Sequence, residues 1–149
     1  MAHKLLLGPD IIVNASVALG SPPDQVVKRV FAKPDPKAKT TDWVISRISG
    51  MLSSIPSFKP ESLEPQMKLI AGLFDVTDLE EEFGPDAWVD ALVASAKAVD
   101  VTRVITDHPD LADKDEVDGI EFMSSDAWLI EQTTPPPPPP TPPALKNRD

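Results

Sequence analysis

The chain has 149 residues, about the length of one domain, and with 41 % hydrophobic and 26 % charged residues it can bury a core and remain in water. Fourteen Lys and Arg against 24 Asp and Glu leave a net charge of −10, which excludes bulk coating of nucleic acid. Zero cysteines exclude disulfides, thiol chemistry and Cys-ligated metal, and two histidines, His3 and His108, exclude a His-rich metal site.

Along the chain, Leu5-Leu6-Leu7 and Ile11-Ile12-Val13 flank Gly8-Pro9-Asp10, and short apolar runs bounded by turn residues suit a strand buried on both faces, the first strand ending there. The interruption at Gly8 also leaves too few apolar residues for a signal peptide, and no run reaches the ~18 of a membrane span, so the expected protein is soluble and cytoplasmic. Ser21-Pro22-Pro23-Asp24 reads as a helix start, with Val26, Val27, Val30 and Phe31 on one face. After a loop at Lys33-Pro34-Asp35-Pro36-Lys37, Thr41-Asp42 can cap a second helix carrying Val44, Ile45, Ile48, Met51 and Leu52. A third helix begins near Pro60-Glu61 with Leu63, Met67, Ile70, Ala71 and Phe74, and Phe74-Asp75-Val76-Thr77 reads as a short strand. Gly84-Pro85-Asp86 opens the next helix, with Trp88, Leu92, Ser95 and Ala96 at helical spacing. The β-branched run Val101-Thr102-Arg103-Val104-Ile105-Thr106 and Ile120-Glu121-Phe122-Met123 read as strands, and Ser124 or Ser125 caps a last helix with Trp128, Leu129 and Ile130.

Strands alternating with helical patterns predict an α/β fold, a three-layer α/β/α sandwich with a mostly parallel central sheet. Eight of the 18 prolines fall between Pro135 and Pro143, so residues 1–132 form the domain and 133–149 a proline-rich tail. That tail is either a ligand for a Pro-rich-binding domain or a plain spacer.

Ligand sites in such sheets lie outside the carboxyl ends of the strands, which points to Gly8-Pro9-Asp10 and Thr106-Asp107-His108-Pro109-Asp110. Asp10 follows one buried strand, Asp107 and Asp110 another, and Asp86 and Asp90 lie on the helix leading into the second. Carboxylates gathered at one edge repel unless a hard cation such as Mg²⁺ or Mn²⁺ neutralises them, and the chemistry that follows is metal-assisted attack of water on a phosphodiester. Asp86 and Asp110 read equally as residues that cap a helix or turn, whereas Asp90, one turn inside a helix, has no such explanation.

These motifs resemble the PIN domain, a metal-dependent ribonuclease fold found in bacterial toxin–antitoxin pairs. Lys4-Leu5-Leu6-Leu7-Gly8-Pro9-Asp10-Ile11-Ile12-Val13-Asn14 is similar to the family's opening strand, with Gly8 in the aspartate position and Asp10 where an asparagine or serine is usual. Val44-Ile45-Ser46-Arg47-Ile48-Ser49-Gly50-Met51-Leu52 resembles the glutamate-bearing helix and contains no acid. Asp90-Ala91-Leu92-Val93-Ala94-Ser95-Ala96-Lys97 keeps the third acid, and Val104-Ile105-Thr106-Asp107-His108-Pro109-Asp110-Leu111 has His108 for one aspartate while Asp110 keeps the next. Gly119-Ile120-Glu121-Phe122-Met123-Ser124-Ser125-Asp126-Ala127-Trp128-Leu129 matches the closing strand and helix, Trp128 standing for the usual phenylalanine. A response-regulator receiver shares only the architecture.

The resemblance with its acids reduced implies a non-catalytic, macromolecule-binding protein, its partner a protein. The acidic stretches Asp78-Leu79-Glu80-Glu81-Glu82-Phe83 and Asp113-Lys114-Asp115-Glu116-Val117-Asp118 would suit a basic antitoxin-like peptide or basic domain. The alternative is an active single-stranded RNA endonuclease with a shifted catalytic set of Asp10, Asp90, Asp107 and Asp110. Asp10, Asp90 and Asp110 would then hold Mg²⁺ or, with His108 as a nitrogen ligand, Mn²⁺.

Overall fold

The computed structural model describes residues 5–32, 37–56, 58–84, 86–112 and 116–133. His3, the loop at 33–36, Pro85, Asp113-Lys114-Asp115 and the tail from Thr134 onward lie outside the described residues.

The leucine run gives β1 (Leu6–Leu7), but the second apolar run does not continue it. Ile11, Ile12 and Val13 belong to helix α1 (Pro9–Val17). Pro9 at the first helical position and Asp10 in the first turn start that helix, and a short all-apolar run packs as well in a buried helix as in a buried strand. Helix α2 (Pro22–Val30) begins as expected, with the Ser21 hydroxyl accepting from the Asp24 amide. Between α1 and α2, Gly20 takes a left-handed φ of 82° and its N–H donates to Asp24 Oδ2 at 2.7 Å. Asp24 is held below the ordinary carboxylate range, first by that hydrogen bond and then by Lys28.

Strand β2 (Ala38–Thr41) leads directly into α3 (Asp42–Ser53), whose buried Val44, Ile48 and Leu52 follow the predicted stripe. A 3₁₀ turn at Pro60–Ser62 precedes α4 (Leu63–Gly72), and β3 (Phe74–Thr77) follows. Helix α5 (Trp88–Ala98) starts two residues after Asp86 behind Ala87, with no side-chain cap, so the capping role for Asp86 does not hold. Then come β4 (Arg103–Ile105), the one-turn α6 (Pro109–Ala112), β5 (Glu116–Val117), β6 (Ile120–Met123) and α7 (Ser125–Thr133).

The fold is mixed α/β with a mostly parallel sheet. β1, β4 and β6 run parallel in the order β1-β4-β6-β5, only β5 being antiparallel, and β2 pairs with β3 in a second parallel ladder. Asp118 and Gly119, at φ 55° and 84°, form the two-residue β5–β6 turn. That Asp-Gly pair is the combination such a turn favours. The core gathers Leu6, Ile11, Ile48, Leu52, Leu92, Ile105, Leu111 and Trp128, each at most 1 % exposed. Burying side chains of this size contributes about 1.5–3 kcal/mol each before the entropy of ordering is subtracted. Among the described residues no helix is long and apolar enough to cross a membrane.

Candidate functional site

The carboxyl ends of β1 and β4 lie side by side, with Leu7 opposite Ile105 and the Gly8 amide donating to the Ile105 carbonyl at 2.8 Å. Asp10, in the first turn of α1, therefore meets the loop leaving β4. Its Oδ1 accepts from the Thr106 hydroxyl at 2.8 Å and its Oδ2 from the Asp107 amide at 2.7 Å. Asp10 is 7 % exposed and Thr106 fully buried. Burial pushes the Asp10 carboxyl above its ordinary 3.8, outweighing the two hydrogen bonds that stabilise its charge, and the neighbouring Asp107 adds to the rise.

Gly8 makes this arrangement sterically possible. Its backbone is ordinary extended chain, φ −64° and ψ 155°, so the constraint is space. A Cβ there would stand 2.6 Å from Asp10 Oδ1 and 3.1 Å from both the Ile105 oxygen and Thr106 Cβ. The space that a side chain at Gly8 would occupy is thus filled by the carboxylate of Asp10 folding back over a bare Cα.

Asp107 faces the other way. Its two oxygens accept from the Ser125 amide at 2.7 Å and the Ser125 hydroxyl at 2.6 Å, satisfying the first turn of α7 from outside the helix. The Ser124 hydroxyl accepts from the Ala127 amide at 3.1 Å, so both serines expected to cap this helix take part in its start. The His108 amide donates to Thr106 Oγ1, and His108 Nδ1 accepts from the Asp110 amide at 3.2 Å. The His108 ring packs on Trp88 at 4.8 Å, and Trp88 meets Trp43 edge-on at 5.9 Å. This ladder ties the starts of α3 and α5 to the loop after β4. Helical spacing in the sequence places Trp88 on a helix face and assigns Trp43 no role.

The candidate acids therefore divide into two sorts. Asp10 and Asp107 are neighbours joined by the hydrogen bond from the Asp107 amide, and each spends both oxygens on protein donors. The carboxylates of Asp90 and Asp110 are exposed and make no hydrogen bond or ion pair with the described residues. On α3, within 44–52, the chain offers Arg47, whose buried Nε has no acceptor among the described residues. Among the described residues no three or more His, Asp or Glu side chains are placed to hold a metal ion. The donor set as arranged does not fit a divalent cation, which needs several carboxylate oxygens within one coordination sphere.

Asp90 instead lines a groove of about 1010 Å³ between α5, the segment after β3 and the β5–β6 turn. Leu79, Phe83, Val93 and Val117 supply its apolar surface, and Asp78, Glu80, Glu81, Asp90 and Asp118 its charge. Lys97 Nζ is paired with Asp118 Oδ2 at 2.9 Å, which holds Asp118 below the ordinary carboxylate range. The segment is anchored at one end, where the Leu79 amide donates to Asp42 Oδ1 at 2.8 Å. The expectation of an acidic surface at 78–83 thus meets a concave feature that the sequence did not reveal. No family model, no curated protein and no solved structure matches this chain.

Proposed function

We propose that this chain is a PIN-like domain, a three-layer α/β/α sandwich, that acts by binding a protein partner without cutting RNA. The single observation that carries the reading is the use made of Asp10 and Asp107. One latches α1 to the β4 loop and the other starts α7, so the carboxylates nearest the sheet edge hold the fold together. Recruiting them to a cation would strip acceptors from Thr106, Asp107 and Ser125, at a net loss of about 0.5–1.5 kcal/mol per hydrogen bond. A protein partner is favoured over RNA because the net charge is −10 and the groove beside α5 is acidic.

The test is thermal unfolding of the full chain with millimolar Mg²⁺ or Mn²⁺, together with incubation against varied single-stranded RNA. An ion at about a hundred times its Kd adds about 2.7 kcal/mol to stability, so specific binding is readily seen. The expected result is an unchanged Tm and intact RNA. A Mn²⁺-dependent rise in Tm that Asp90→Asn removes, with chelator-sensitive cleavage, would establish the nuclease with Asp10, Asp90, Asp107 and Asp110 and overturn the reading.

A further inference from the structure

We propose that the groove beside α5 docks a basic amphipathic helix presented by the partner, an inference that rests on reading the chain as a protein-binding domain. Along α5, residues 90, 93, 94, 97 and 98 follow the i, i+3, i+4, i+7, i+8 spacing of one helical stripe, and all five line the groove. That stripe spans about 12 Å, room for roughly two turns of a second helix. Ala94 and Ala98 keep it low, so a partner's apolar side chains reach, across the groove, the half-buried Leu79, Phe83 and Val117.

Charge selects the occupant. The Lys97–Asp118 pair shows that this wall takes an ammonium group at 2.9 Å. Asp78, Glu80, Glu81 and Asp90 have no cation among the described residues, so the groove carries four unpaired carboxylates around an apolar floor. A polyanion is repelled there, whereas a helix with Lys or Arg flanking a Leu stripe matches both features. An extended peptide added to the sheet is disfavoured because β5, the strand at this edge, is only two residues long.

The test uses the full chain and two labelled synthetic peptides of about 16 residues, identical in their helical Leu spacing, one with Lys and one with Glu at the flanking positions. Fluorescence anisotropy at low and high salt reads binding. The Lys peptide is expected to bind saturably and more weakly as salt rises, and the Glu peptide not to bind. Glu80→Lys with Glu81→Lys should weaken the Lys peptide by about tenfold or more, while Glu61→Lys in the 3₁₀ turn with Glu64→Lys in the first turn of α4, the same change in charge, leaves it within about twofold. Ala98→Trp, which fills the groove without altering charge, should abolish binding. No saturable binding, equal binding of both peptides, or equal loss in both double variants overturns the proposal. Self-association that only the Glu80/Glu81 variant removes also overturns it, giving the groove to a second copy. Any of these beside an inert metal titration removes the groove alone; Mn²⁺-dependent RNA cleavage removes the reading beneath it.

Discussion

Replacing Asp10 by Ala is the most informative single perturbation of the sheet edge. It strands the Thr106 hydroxyl, which is fully buried, and the Asp107 amide, which is half-buried. An unsatisfied buried donor costs about 1–3 kcal/mol, the amide falling at the low end because water can reach it. The desolvation that raises the Asp10 pKa is recovered on substitution and offsets part of the sum, leaving a loss of about 2–3 kcal/mol and a fall in Tm of about 10 °C. Asp10→Asn keeps one acceptor but turns an amide donor toward a donor, and should lose about 1–2 kcal/mol. Urea unfolding followed by circular dichroism measures both. The pH dependence has a defined sign. A carboxyl with a raised folded pKa binds its proton more tightly in the native state, so its contribution is complete below 3.8 and is lost as pH rises through the folded pKa. The margin of wild type over Asp10→Asn should therefore be widest near pH 3.8 and narrow toward neutrality. An Asp10→Ala protein within about 0.5 kcal/mol of wild type, or a margin that widens with pH, would refute the latch.

Gly8→Ala should cost about 1–3 kcal/mol in the same unfolding assay because its methyl group meets Asp10, and Gly8→Asp should cost more without gaining Mn²⁺ affinity by calorimetry. The buried 2.7 Å bond between Thr41 and Ser95 hydroxyls joins β2 to α5; Thr41→Val should cost about 1–3 kcal/mol, and adding Ser95→Ala should cost less than the sum of the single changes in a double-mutant cycle. Asp107→Ala, which removes both acceptors for Ser125, should lose about 1–2 kcal/mol by urea unfolding, while Asp110→Ala stays within about 0.5 kcal/mol.

Much of the fold was legible where periodicity and capping agreed. The stripe Val44, Ile48 and Leu52 and the start at Pro22 were found because each is a local signal, and Ile120–Met123 emerged with its predicted bounds. Ile11 to Val13 misled because three consecutive apolar residues carry no period, and only Pro9 at the helix start distinguishes the outcomes. Strand β2 escaped because Ala38-Lys39-Thr40-Thr41 has little hydrophobicity of its own, and β5 because two residues in a polar stretch carry no pattern; the Asp118-Gly119 turn was the available clue. At the site, the sequence brought Asp10 and Asp107 to one edge but left their partners hidden. Thr106 and Ser125 are 96 and 18 residues from the acids they serve, separations that only the sheet closes. Thr41 shows the same limit: it stands at the cap position of α3, yet its hydroxyl bonds Ser95 and caps nothing.

The central claim is that Asp10 and Asp107 are acceptors for protein donors and leave no seat for a divalent ion. Mn²⁺ is paramagnetic, so titrating it into ¹⁵N-labelled protein reads its position directly through the amide signals it broadens. The account predicts that Gly8, Thr106, Asp107 and Ser125 retain their intensities, with only diffuse, salt-sensitive broadening over the exposed acids. Saturable loss of the Asp107 and Thr106 signals at stoichiometric Mn²⁺ would place an ion on the latch and contradict it.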